Sequence, residues 1–90
     1  MTFSIVGHCK QTGMHGVAIT TSSICVGSRC PWVRAGVGAV TSQNITDPAI
    51  GNEVLDLIAG GIGATDAVKR VMDERPHAAY RQVGVVDRDG

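Results

Sequence analysis

The N-terminal part of the chain alternates polar and apolar residues in a way that predicts two β-strands. A first strand over Thr2–Val6 places Phe3 and Ile5 on one face. The segment Gly16–Thr21 is typical of a second strand, and the polar connection His8–Met14 carries a turn glycine. Together the two segments are expected to form a hairpin.

Two serines and a loop separate this hairpin from the next strand. Ser22 and Ser23 end the second strand, and Gly27–Trp32 is predicted to be a loop because glycine and proline crowd into six residues. A third strand is predicted over Val37–Val40, where the residues are small and nearly all apolar. Such a composition is expected of a strand that is covered on both faces.

Helical periodicity follows. Asp47 and Pro48 predict a helix start, since the carboxylate can accept from free backbone N–H groups and proline is tolerated in the first turn. This helix is expected to run to about Ala59 and to present one apolar stripe made of Ile50, Val54, Leu55 and Ile58. A second helix is predicted over about 65–75, with Pro76 ending it.

The C-terminal segment predicts a strand that lacks its partner. Tyr80–Val86 is predicted to be a fourth strand, and Asp87–Gly90 is a hairpin turn signal. Because such a turn expects another strand directly after it, we interpret residues 1–90 as the N-terminal part of one domain, completed by a following chain or segment. Alone, the fourth strand would expose an unpaired apolar edge, so we expect no cooperative melt from the isolated chain.

The hydrophobic content and the distribution of charges limit the kinds of partner that the chain is expected to bind. Ninety residues with 43% hydrophobic content hold one modest core at most, and 8 basic and 8 acidic residues are interspersed without a run of either sign. This pattern argues against nucleic acid and against an anionic membrane. The N-terminus has no basic segment followed by an apolar stretch, so a cytoplasmic location is expected.

Cysteine and histidine spacing predicts neither a metal site nor a cofactor. The three cysteines are an odd number, expected to be free thiols in a reducing compartment, and Cys25 and Cys30 do not have the spacing of a zinc ribbon. We expect Cys25, flanked by apolar residues, to be buried and inert, and Cys30 to be the more reactive thiol. The three histidines, which are His8, His15 and His77, are expected to face solvent.

The order of strands and helices is that of half a four-layer αββα sandwich, in which two stacked sheets are covered by helices. The segments that resemble a known family are Met1–Val6, Cys25–Gly27, Pro31–Trp32, Arg34–Gln43, Asp47–Pro48 with Gly51, and Arg81–Asp87. The chain resembles a bacterial family of unknown function, some of whose members carry the label fimbrial assembly protein. The resemblance implies the fold of the N-terminal-nucleophile (Ntn) hydrolases.

Ntn hydrolases use an N-terminal Thr, Ser or Cys as nucleophile and its own α-amine as base. Removal of Met1 would make Thr2 that residue, at the head of a predicted strand. The alternative is an ordinary strand threonine, which the chain beginning at Met1 favours because the amine of Thr2 is then in a peptide bond.

A second possibility places the nucleophile on a companion chain. Self-cleavage after Gly90 would leave a Thr, Ser or Cys at the start of that chain, and glycine permits the backbone angles that a strained scissile peptide needs. The alternative is that Gly90 is simply where this polypeptide happens to stop. The two alternatives stay open.

Candidate substrate-binding residues follow the strands. Ser22 and Ser23 could bind a carbonyl oxygen, and Gln43 and Asn44 could donate to a developing oxyanion. Arg34 could clamp a carboxylate of a small acidic amide. Each has a structural alternative: serine and asparagine satisfy turn backbone, and an arginine can lie over the neighbouring indole.

The sequence therefore predicts the smaller chain of a self-processed Ntn-type amidohydrolase that hydrolyses an amide or imide C–N bond in a small molecule. Its expected partners are the companion C-terminal chain, the amide substrate and further copies of the two-chain unit in a homo-oligomer. The alternative is a non-catalytic binding or structural module that keeps the Ntn fold.

Overall fold

The computed structural model describes all residues, Met1–Gly90, as a small mixed α+β domain with two antiparallel sheets and two helices. In chain order the strands and α-helices are β1 (Thr2–His8), β2 (His15–Thr21), β3 (Pro31–Arg34), β4 (Gly38–Asn44), α1 (Ala49–Ala59), α2 (Ala64–Asp73) and β5 (Arg81–Asp87). Short 3₁₀ turns at Val26–Ser28 and Ala78–Tyr80 precede β3 and β5.

The predicted N-terminal hairpin is confirmed. Strands β1 and β2 pair antiparallel from Thr2 opposite Thr21 to His8 opposite His15. Phe3 and Ile5 do share a face, but that face is open to solvent: their exposed fractions are 64% and 68%. The half-buried face of β1 consists instead of Thr2, Ser4, Val6 and His8.

The loop prediction for 27–32 is wrong at its C-terminal end, and one strand was missed. Pro31–Arg34 forms β3 and pairs antiparallel with the first half of β4. A tight turn joins the two strands, closed by the Val37 N–H donating to the Arg34 carbonyl at 3.0 Å, with Gly36 at a φ of 72°. Proline is tolerated here because β3 is an edge strand and needs no donor on its open side.

Strand β4 is the centre of a three-stranded sheet of order β3-β4-β5 and extends to Asn44, four residues beyond the predicted third strand. Its residues from Gly38 to Ser42 are buried, as expected for a strand that is covered on both faces. Strand β5 pairs with β4 on one side and is an edge strand on the other.

Both predicted helices are confirmed. The Asp47 carboxylate accepts from the Ala49 N–H at 3.0 Å and so begins α1, while α2 starts one residue before and ends two residues before its expected limits. The helices cover one face of the three-stranded sheet and build the core with it. The buried members of that core are Val40, Ile50, Val54, Leu55, Ile58, Ala67 and Val71.

The hairpin β1-β2 packs against the other face of the three-stranded sheet, so the domain has three layers: helices, sheet and hairpin. Alternation along β4 assigns Val40 to the helices and Thr41 and Gln43 to the hairpin. Neither helix is long and apolar enough to cross a lipid bilayer.

Candidate functional site

The space between the two sheets contains a group of hydrogen-bonded polar side chains. The Ser4 hydroxyl donates to Gln43 Oε1 at 2.8 Å, and Gln43 Nε2 donates to Gln82 Oε1, also at 2.8 Å. Beside them, the hydroxyl oxygens of Thr2 and Thr21 lie 2.9 Å apart, within hydrogen-bond distance. The Ser4–Gln43 hydrogen bond thus joins the two sheets directly.

A cavity of about 220 Å³ lies in this layer. Its lining contains no charged side chain and consists of Ser4, Val6, Thr41, Gln43, Gln82, Val83 and Gly84. Thr41 is only 6% exposed, and its hydroxyl has no hydrogen-bond partner. A buried hydroxyl without a partner is uncommon in folded proteins, which makes Thr41 the unusual member of the lining.

Five of the predicted site residues come together at one end of the stacked sheets. Thr2 pairs with Thr21, which Ser22 and Ser23 follow directly. Ser4, two residues along from Thr2, bonds Gln43, and Asn44 comes next in the chain. We call this the Thr2 end, defined by Thr2, Thr21 and Gln43.

The turns at this end leave the polar residues Ser22, Ser23 and Asn44 exposed. Ser22 and Ser23 are exposed, and the Ser23 N–H donates to the Thr21 hydroxyl at 3.3 Å. Asn44 is exposed and has a φ of 73°, in the left-handed region that asparagine tolerates better than most residues. In this turn the Thr21 hydroxyl, and not a serine hydroxyl, accepts the backbone N–H.

Arg34 and Gly90 do not join that group. Arg34 lies at the far end of β3 and makes an ion pair with Asp56 of α1 at 2.8 Å, on the helix-covered face of the sheet. Gly90 lies in the turn after β5, where its N–H donates to the Asp87 carbonyl and an added Cβ would sit 3.4 Å from His8 Nδ1. Strands of seven residues place this opposite end roughly 20 Å from Thr2.

The prediction that the histidines face solvent is wrong for two of the three. His8 and His15 do not face solvent fully: both are half-buried between the sheets, with ring centroids 4.7 Å apart. His15 Nε2 lies 3.2 Å from the Asp87 carbonyl, and its Nδ1 is buried without a partner. Alternation is the signal that would have placed them inside, because His8 shares a face with Val6 on β1 and His15 shares one with Val17 on β2. His77 is exposed as predicted.

The cysteine predictions are reversed. Cys30 is buried and Cys25 is exposed, because the chain turns at Cys25 with a φ of 56° before it enters β3. All three thiols are free. Hydrogen bonds from the Thr12 hydroxyl, and then from the backbone N–H groups of Thr12 and Gln11, lower the pKa of the exposed Cys9 thiol below its ordinary value.

These environments predict an order of alkylation. With a limiting amount of iodoacetamide at pH 7.5, Cys9 should react first, because its lowered pKa gives it the larger thiolate fraction, and Cys25 should follow. Cys30 should react only on unfolding. Peptide mass spectrometry of the time course measures the order, and Thr12→Val should slow Cys9 toward the rate of Cys25. Equal rates for Cys9 and Cys30 would contradict the structure.

Three residues of the polar layer were missed from the sequence: Ser4, Thr41 and Gln82. The strand alternation contained part of the signal, since Ser4 shares a face with Thr2, and Thr41 shares one with Gln43. No group of three or more His, Cys, Asp or Glu side chains is arranged to hold a metal ion.

The fold and these polar side chains define a small α+β domain with neutral hydrogen-bonding groups between its two sheets. The chain belongs to the family of unknown function DUF1028, whose model matches residues 2–90. It is similar to a solved protein of Silicibacter pomeroyi, also assigned to DUF1028, with a TM-score of 0.91 and 35% sequence identity. That match covers 97% of this chain and 39% of the other, so the chain spans well under half of its solved relative. No curated protein matches the chain.

Proposed function

We propose that this chain is the N-terminal part of an Ntn-type amidohydrolase, which hydrolyses an amide or imide C–N bond in a small molecule in the cytoplasm. The observation that carries the proposal is the position of Thr2. It begins β1, points between the sheets, and shares its end of the domain with Ser22, Ser23, Gln43 and Asn44. An Ntn nucleophile requires the head of a strand beside hydrogen-bond donors.

The chemistry begins with removal of Met1, which is 91% exposed and so contributes little packing. The freed α-amine of Thr2 takes the hydroxyl proton while Oγ1 attacks the substrate carbonyl carbon. The second N–H of the Gln43 amide, not used by Gln82, and the Asn44 amide would donate to the oxyanion. The C–N bond then breaks, the leaving nitrogen takes the proton, and water hydrolyses the acyl ester to regenerate Thr2.

The proposed whole fold is the four-layer αββα sandwich of the Ntn hydrolases. The three layers in this chain supply one helical layer and parts of both sheets. The outer face of the hairpin, with Phe3 and Ile5, is exposed and apolar, which suits cover by helices from a following segment. Edge strand β5 would gain a partner from the same segment.

A variant of the proposal keeps self-cleavage after Gly90 and a nucleophile that begins a companion chain. Such a residue would start beside His8, at the opposite end from Ser22, Ser23, Gln43 and Asn44. The two variants therefore require different pockets: the polar Thr2 end in one, and the His8–His15 pair in the other. In either variant, copies of the completed unit associate as a homo-oligomer.

The test uses the protein expressed from its complete gene. Intact mass should show loss of Met1, and a panel of linear and cyclic amides should reveal hydrolysis. Thr2→Ala should lower kcat/KM by at least about 10³-fold because the nucleophile is lost, whereas Thr2→Ser should retain measurable turnover.

The controls separate the variants. Retained Met1 together with a fragment that ends at Gly90, and full activity in Thr2→Ala, would replace the Thr2 mechanism with the companion-chain mechanism. An unprocessed protein that hydrolyses no amide in the panel would instead favour a non-catalytic binding module on the same fold.

A further inference from the structure

The cavity between the sheets has a defined pattern of donors and acceptors. Gln43 Oε1 accepts from the Ser4 hydroxyl, so the Ser4 hydrogen is used and its oxygen lone pairs are left to accept. The Thr41 hydroxyl is buried and has no partner, so its hydrogen is free to donate. The Thr41 hydroxyl hydrogen and the Ser4 oxygen are thus a free donor and a free acceptor among the groups that line the same small space.

Gly84 keeps this space open beside Thr41. A Cβ at Gly84 would lie 3.3 Å from the Thr41 Cγ2 methyl, so the methyl packs over the glycine of the neighbouring strand. Any larger residue at position 84 would press on Thr41. The room next to the Thr41 side chain therefore depends on a glycine in the middle of β5.

The lack of charged side chains in the lining limits the kind of ligand group that the cavity can hold. No Lys, Arg, His, Asp or Glu lines the cavity, and Arg34, the arginine expected to clamp a carboxylate, is paired with Asp56 on the other face of the sheet. An ionised group would lose its hydration here without gaining a counter-charge. A neutral group with one acceptor and one donor matches the lining.

We propose that this cavity is a subsite for a neutral carboxamide of the substrate. The Thr41 hydroxyl donates to the amide oxygen, and the Ser4 oxygen accepts from the amide N–H. Ser4 lies about 7 Å along β1 from Thr2, so the subsite would hold a second amide a few bonds from the one that reacts. The statement that a second amide reacts at Thr2 rests on the proposed function, whereas carboxamide binding by Thr41 and Ser4 does not.

The experiment measures binding of two matched probes, succinamide and succinate, at neutral pH to the Thr2→Ala protein made from the complete gene. Succinamide should bind at least about tenfold more tightly than succinate, which carries a carboxylate in place of each amide. Thr41→Val, which keeps the shape and removes the hydroxyl, should weaken succinamide at least about tenfold, and Thr41→Ser should stay within about threefold.

Ser42→Ala is the matched control. Ser42 is also buried with an unpartnered hydroxyl, but it is the next residue on β4 and points to the opposite face. It should leave succinamide binding within twofold. If Thr41 were only a structural residue, Thr41→Val would raise Tm and leave binding unchanged, and that result would overturn the subsite.

Two other results also overturn it: succinate binding as tightly as succinamide, or no succinamide binding at all. Neither result bears on the amide-hydrolysis panel or on Thr2. Conversely, an inactive protein that still binds succinamide through Thr41 would remove the proposed reaction and keep the subsite.

Discussion

Gly51→Ala is expected to destabilise the domain by about 3 kcal/mol. A Cβ at Gly51 would lie 2.1 Å from Trp32 Cδ1 and 2.2 Å from Trp32 Cγ, far inside van der Waals contact. These atoms belong to the root of the indole, so the clash cannot be relieved by a small movement of a side-chain tip. Trp32 on β3 and Gly51 on α1 thus set how closely the helix approaches the sheet.

The sign of this effect is opposite to helix propensity, which favours alanine over glycine in a helix by about 1 kcal/mol. Asn52→Ala on the exposed side of the same helix is the control and should change the free energy of unfolding by no more than a few tenths. Urea denaturation of the protein from its complete gene measures both. A Gly51→Ala protein as stable as the wild type would show that Trp32 does not pack against α1.

The double variant Gly51→Ala/Trp32→Ala tests the contact directly. Because alanine lacks the Cγ and Cδ1 atoms that the added methyl would meet, the second substitution should cost less in the Gly51→Ala background than in the wild type. Additive effects would mean that the two positions do not touch.

Asp47→Ala is expected to cost about 3 kcal/mol for a different reason. Asp47 Oδ2 is shared by Arg75 at 3.4 Å and Arg81 at 3.5 Å, and the Arg81 side chain is only 7% exposed. Arg75 has a second carboxylate partner in Glu53, whereas Arg81 relies on Asp47. Removing Asp47 leaves a buried guanidinium unpaired and also removes the carboxylate that accepts from the first turn of α1.

The Asp47 side chain is itself 31% exposed, so water compensates part of the loss, and the expected cost stays at the lower end of the range for a buried pair. Asp56→Ala provides the contrast, because the Arg34–Asp56 pair is largely exposed and should contribute under about 1 kcal/mol. Adding Arg81→Met to Asp47→Ala should recover more than half of the loss in thermal or urea unfolding. If Asp47→Ala costs no more than Asp56→Ala, the pairing of Arg81 with Asp47 does not stabilise the domain.

The ion pairs of Asp47 with Arg75 and Arg81, called the ion cluster, lie close in the chain and in the sheet to residues of the candidate site. Arg81 pairs in register with Asn44, the last residue of β4, which directly follows Gln43 of the Thr2 end. Asp47 follows three residues later and anchors the connection from β4 to α1. Loss of the cluster should therefore loosen Gln43 and Asn44 as well as lower stability.

Much of the local structure was readable from short stretches of sequence. The hairpin, the start of α1 at Asp47, the apolar stripe of that helix and the turn at 87–90 depend on neighbouring residues, through alternation, capping and turn chemistry. Strand β3 was not predicted, because proline and glycine suggested a loop. Only pairing with β4 makes Pro31–Arg34 extended.

Alternation along a strand says which side chains share a face, but not which face is covered. On β1 the covered face holds Thr2 and Ser4, while Phe3 and Ile5 stay exposed, since it is the stacking of the hairpin on β4 that decides between the two. The same stacking joins Ser4 to Gln43, 39 positions apart in the chain, and places Arg34 and Gly90 away from them. Residue types near one another in sequence therefore specify the elements, and contacts between distant residues assemble the site.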